Sequence, residues 1–194
     1  MKVIAPPTCA LFFLLGYLPA AFANNPIEDG DLLKKYCGYG LDEALKSKVV
    51  RRSSKIAMGS YWEESDITIS VNDTAAYGRL SFSCPTSANR LTESLSLYER
   101  TASEEIERED AGGRYARIIS WASDFHGHGW RGTIAHTNAI FGDGTSFPTS
   151  DFFLVCPNTI ASSCFSFEIQ ANNKLAEGDR KAILSLLSAV SYHF

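Results

Sequence analysis

The sequence lacks the catalytic signatures that would name a reaction class. G-x-S-x-G, the P-loop, H-E-x-x-H and the glycine-rich dinucleotide fingerprint are all missing. An excess of positive charge is missing too. The 18 Lys and Arg stand against 22 Asp and Glu, for a formal net charge of −4. That balance argues against nucleic acid, and against an anionic membrane surface, as the main partner. No C-x-x-C spacing occurs, which disfavours a thiolate zinc site. After residue 18 no apolar run is long enough to cross a bilayer. No internal repeat, low-complexity tract or linker divides the chain, so a single domain is expected.

What is there begins with a short apolar run at 10–18, ALFFLLGYL, with Lys2 before it and Pro19 after it. Ala21-Phe22-Ala23 fits the small-x-small cleavage rule. The pattern predicts a signal peptide over 1–23 and a mature domain over 24–194. Cys9 stands early in the run, away from a lipoprotein cleavage position, so no stable membrane anchor is expected. Export places the chain in the periplasm if the source is bacterial, and otherwise outside the cell.

Export changes how the cysteines are read. Cys37, Cys84, Cys156 and Cys164 remain after cleavage, and an even number in an exported chain points to disulfides. The stretch 151–169, DFFLVCPNTIASSCFSFEI, selects among the three possible pairings. It reads as two strands joined by a loop, with a cysteine at each mouth. If Cys156 faces Cys164, counting outward puts Val155 opposite Phe165 and Phe153 opposite Phe167, with Ile169 on that same face. Leu154 then meets Ser166, and Phe152 meets Glu168, on the other face. A slip of one residue would scramble this division, so pairing and hydrophobic pattern support each other. Cys37–Cys84 is what remains.

The other segments follow in order. Residues 26–48 read as helical: Asp29 or Asp31 can cap, and Leu32, Leu33, Tyr36 and Cys37 form an apolar stripe. Gly38 and Gly40 end or bend that helix, and 41–45 resume it. Strands are expected at 55–61, 67–71 and 79–84, with turns at Asn72-Asp73 and Tyr77-Gly78. Asn72-Asp73-Thr74 is also a glycosylation sequon, meaningful in a eukaryote. Residues 91–106 have the spacing of a surface helix, although Leu95 and Leu97 alternate as a strand would. Glu104, Glu105, Glu107, Glu109 and Asp110 read as its solvated face. After Gly112-Gly113, strands are expected at 115–122 and 130–140, with a glycine-rich loop over 124–129 between them. Gly142-Asp143-Gly144 marks a turn, and a Pro148 loop leads to the cysteine hairpin. Asp179 can cap a final helix, with Ile183, Leu187 and Val190 as its buried side and a short strand closing the chain. The expected fold is a disulfide-stapled α+β domain, an antiparallel sheet with helices near both ends of the chain.

A paired hairpin, a helix and a short S-x-Y-x-F tail over 152–194 resemble the C-terminal end of the Mog1/PsbP-like α/β family. The helical start carrying Cys37 departs from that family's usual beginning. The resemblance implies a small, exported, non-catalytic binding or accessory protein.

Chemistry has one candidate cluster: Asp124, His126, His128 and His136. In a strand, H-x-H puts two imidazoles on one side, a common start for a metal site. Phe125-His126-Gly127-His128 is similar to the copper-ligand segment of Cu/Zn superoxide dismutases, but the downstream ligand set is absent. Cupins also use H-x-H, and the Glu they need does not follow. Glycine-rich loop with incidental histidines is the plainer reading, with no metal or cofactor expected. Cys37 before a β block has the ordering of papain-like nucleophiles, which need a free thiolate; its pairing with Cys84 opposes that. The favoured function is binding of a protein, as an inhibitor or toxin-immunity protein would do. His126, His128, Trp130 and Arg131 are the candidate contact residues, with Trp130 as an apolar anchor or, equally, a core side chain.

Overall fold

The computed structural model describes residues 29–71, 74–86, 100–159, 163–170 and 177–193. The expected signal peptide, the Asn72-Asp73 turn with its sequon, and residues 91–99 lie outside them. Along the chain run α1 (Asp29–Cys37), β1 (Tyr39–Leu41), α2 (Glu43–Lys46), β2 (Val49–Ala57), β3 (Ser60–Val71) and β4 (Thr74–Pro85). Then come α3 (Ala102–Asp110), β5 (Tyr115–Gly127), β6 (Trp130–Gly142), β7 (Thr145–Pro157), β8 (Phe165–Ile169), α4 (Glu177–Ser188) and β9 (Val190–Tyr192).

Seven strands form one antiparallel sheet in the order β2-β3-β4-β8-β7-β6-β5, and β1 pairs with β9 in a small second sheet. The result is a single α+β domain, as expected. The β7–β8 register is the one counted from the cysteines: Val155 meets Phe165, Phe153 meets Phe167, Leu154 meets Ser166 and Phe152 meets Glu168. Disulfides join Cys156 to Cys164 and Cys37 to Cys84. The second ties α1 to β4 across 47 residues.

Each strand contributes alternate residues to two faces. One face packs against α1, α2, α4 and the β1–β9 pair. Its core includes Leu33, Tyr39, Ile67, Phe82, Phe153, Phe165 and Ile183, all at most 2% exposed. The other face is covered by α3, which seats Ala102 and Ile106 on Ala135, Leu154 and Cys156. Thr101 caps α3 and, with Glu104, completes a capping box. The Ala102 N–H donates to Thr133 Oγ1 at 2.8 Å, which fixes the helix to β6.

Several boundaries differ from the expectation. The helix read over 26–48 is interrupted by β1, whose residues pair with β9 from the far end of the chain. That long-range partner is invisible to local periodicity. Met58-Gly59 makes the β2–β3 turn, with φ of 51° and 74°, inside a segment read as one strand. Tyr77-Gly78 is no turn but lies within β4, opposite Thr68 and Ile67. A Cβ on Gly78 would stand 2.3 Å from the Phe167 ring, so glycine is there for close approach. Pro148 sits inside β7 beside an irregularity in the β6–β7 register rather than in a loop. Asp179 lies within α4 rather than before it.

Candidate functional site

The histidine cluster does not assemble. β5 runs on to Gly127, so the loop expected over 124–129 shrinks to His128-Gly129. Asp124 and His126 lie on the α3 face of β5 and are exposed, while His136 of β6 points to the opposite face and is buried. His128 is exposed in the turn, where its backbone bonds to Ser188 and Tyr192. Among the described residues no three of His, Cys, Asp and Glu converge on one point.

The proposed contact residues separate as well. His126 and Arg131 are opposite each other and exposed. Trp130 is only 6% exposed; its Nε1 donates to the Val190 carbonyl at 2.8 Å, and its ring meets Phe165 edge-on. A Cβ on Gly127 would sit 2.0 Å from that ring. Of the two readings of Trp130, anchor or core, the structure shows the core. Cys37 is fully buried and disulfide-bonded, so it offers no thiolate.

Two polar constellations went unread in the sequence. His136 Nε2 lies 2.7 Å from Asp151 Oδ1, and the pair is nearly closed off from solvent. His136 stacks on Trp121, whose ring also carries the Arg180 guanidinium at 3.9 Å. His136 Nδ1 is buried and has no hydrogen-bond partner among the described residues. On the same face, toward the β2–β3 end of the sheet, Glu63 is fully buried, bonded by Arg52 and by the Tyr61 hydroxyl. Both partners of each pair come from sequence-distant or alternating strand positions, so no local motif marks them.

A concave surface among the described residues lies on the α3 face. It is a groove of about 510 Å³ between α3 and the strands β3, β4, β8 and β7. Its floor is made of short side chains: Ser81 meets Ser166 in the register, and Ser83 lies beyond. Trp62 stands opposite Ser83 as one wall, and Phe152 and Leu154 form the other end. The sheet is therefore low where serine alternates with core aromatics, in Leu80-Ser81-Phe82-Ser83 and Phe165-Ser166-Phe167. That alternation was the signal available in the sequence.

Charge lines the rim on the helix side. Glu105, buried at 3% exposure, accepts from Arg100 Nη1 and Arg108 Nε, both at 3.0 Å. Burial alone would raise its pKa, but the bonds from Arg108 and Arg100 outweigh it and hold the carboxyl below the usual carboxylate range. Its reading as part of a solvated face is corrected: it is the one acid of that run turned under the helix, fixed by two arginines. Arg117 bonds Asp110 at 3.1 Å and lies over the Phe152 ring at 5.0 Å.

A second row on this face alternates in sign. In the strand register Arg51 of β2 faces Asp66 of β3, which faces Arg79 of β4, which faces Glu168 of β8. Arg79 bonds Asp66 at 3.1 Å. The Tyr77 hydroxyl and Arg79 keep the Asp66 carboxyl below its ordinary range. The chain matches no protein-family model, no curated protein and no solved structure.

Proposed function

We propose that the chain is an exported binding protein, periplasmic in a bacterium and otherwise secreted, that seats a protein partner on the α3 face of its sheet. The groove carries this reading: a serine floor of small side chains, a Trp62 wall 37% exposed, and a rim of charges of both signs. Large aromatic side chains beside a recess, ringed by polar groups, are the chemistry of protein interfaces. The two disulfides support a place outside the reducing cytosol, and Ala21-Phe22-Ala23 supports cleavage on the way there. A rigid stapled sheet suits an inhibitor or toxin-immunity protein, which must present a preformed surface. The Mog1/PsbP-like resemblance read from residues 152–194 implies the same non-catalytic role.

Capture from the envelope or culture fluid of the producing cell tests this. Ser83→Arg, at an exposed floor position, places a long cation in the groove without touching the core. It is expected to abolish capture while the melting temperature stays near wild type. Capture lost instead by His126→Ala with Arg131→Ala would move the interface to the β5–β6 turn. Capture unchanged by either would remove the reading.

A further inference from the structure

The α3-face groove is rich in hydroxyls. Five serines line it: Ser60, Ser81, Ser83, Ser163 and Ser166. Ser81 and Ser166 sit side by side on neighbouring strands, and Ser83 follows Ser81 along β4. An apolar side chain pushed into the groove would cover hydroxyls and give them nothing to bond. Each one left unsatisfied costs roughly 1–3 kcal/mol. Ser163 is the sharpest case. It is 4% exposed, and its hydroxyl is buried with no hydrogen-bond partner among the described residues. Buried hydroxyls are normally bonded, so this one asks for a group to meet it.

Charge does not select the ligand either. The charged residues described in the lining all stand in ion pairs. Glu63 pairs with Arg52, Glu64 with Arg79, Glu105 with Arg100 and Arg108, and Arg117 with Glu109. What the groove does offer is an aromatic face. Trp62 stands opposite Ser83 in the β3–β4 register and is 37% exposed. It also borders a second recess of about 480 Å³, whose lining includes Ser53, Lys55 and Glu64. Polar hollows therefore lie to both sides of one tryptophan.

Three properties define what fits. The ligand brings hydroxyls that donate and accept, as serine does. It carries no net charge. It has a flat C–H face to lie on the indole, whose ring face is electron-rich. Neutral sugar rings combine all three, and two hollows sharing Trp62 take more than one ring.

We propose that the groove binds a neutral oligosaccharide, with one ring stacked on Trp62 and its neighbours bonded to the serines. This rests on the reading of the α3 face as the binding surface and names what the partner presents there, a glycan. A glycosylated protein and a free polysaccharide carry the same chemistry, and capture separates them.

The probes are cellotriose, maltotriose, mannotriose and tri-N-acetylchitotriose, with trigalacturonate as the charged counterpart, each titrated into the isotope-labelled mature chain. At least one neutral trisaccharide is expected to shift the Trp62 indole signal and the amides of Ser81, Ser83 and Ser166, with a Kd below about 1 mM. Trigalacturonate is expected to bind at least about tenfold more weakly. Trp62→Ala is expected to weaken the neutral sugar at least about tenfold, and Trp62→Tyr to keep most of the affinity because a ring remains. Protein capture abolished by glycosidase treatment of the extract supports a glycan carried by a protein. Carbohydrate captured after protease digestion supports a free polysaccharide. No binding of any neutral trisaccharide at about 10 mM, shifts away from the groove, or binding unchanged by Trp62→Ala would overturn the inference. If the sugars fail while Ser83→Arg still abolishes protein capture, the saccharide assignment falls and the protein reading stands. If the sugars bind as expected while Ser83→Arg leaves protein capture intact, the protein reading of the groove falls and the saccharide site stands.

Discussion

Arg52 holds the fully buried Glu63 carboxylate with two parallel hydrogen bonds, Nε to Oε1 and Nη2 to Oε2, each 2.8 Å. The pair joins β2 to β3 on the sheet face that packs against α1, α2 and α4. Removing one partner leaves a buried charge uncompensated. Arg52→Ala is therefore expected to cost about 3–5 kcal/mol in chemical denaturation. Arg52→Met with Glu63→Leu is expected to recover most of that loss. If the double variant is as unstable as the single one, the pair is not the source of the cost.

Trp130 is expected to act as a core residue. Trp130→Ala should destabilise by about 3–5 kcal/mol, and Trp130→Phe by less, because the ring contact with Phe165 is largely kept. A denaturation midpoint unchanged by Trp130→Ala would contradict the packing described for it.

The two disulfides should differ in weight. Chain entropy favours the longer loop: about 4 kcal/mol for Cys37–Cys84, with a separation of 47, against about 2.5 kcal/mol for Cys156–Cys164, with a separation of 8. Paired replacement by Ala, one bond at a time, measures this by denaturation. The opposite order would mean that the hairpin bond holds the groove wall for reasons beyond loop closure.

Glu105 predicts a pH signature. Its folded pKa lies below the unfolded one, so its stabilisation is present above about pH 4 and is lost as pH falls through the folded value. Glu105→Gln is expected to cost about 1–3 kcal/mol at pH 7. The gap from wild type should shrink steadily as pH falls below about 4. A gap independent of pH would mean that the cost is packing and not charge.

The sequence carried the cysteine hairpin in full, because disulfide spacing and two-residue alternation restrict the register independently and agree. The last helix was legible for a similar reason: Ile183 and Leu187 keep one stripe and are buried, while Val190, read with them, is buried as the first residue of β9 instead. β1 was not legible, since three residues pair only with a strand some 150 positions later. The histidines misled because H-x-H was given a shared face that the strand end removes, His128 falling in the turn. The groove was half visible: the serines alternate with aromatics in plain view, but their adjacency depends on β4 pairing with β8.

The central claim is that the α3 face receives a protein. It is tested most directly by placing the photoreactive amino acid benzoylphenylalanine at position 62, on the groove wall, or at position 141, exposed at the far tip of the β6–β7 hairpin. Irradiation in the producing cell is expected to give one discrete protein adduct from position 62 and none from 141. Adducts from 141 alone, or from neither position, would contradict the account.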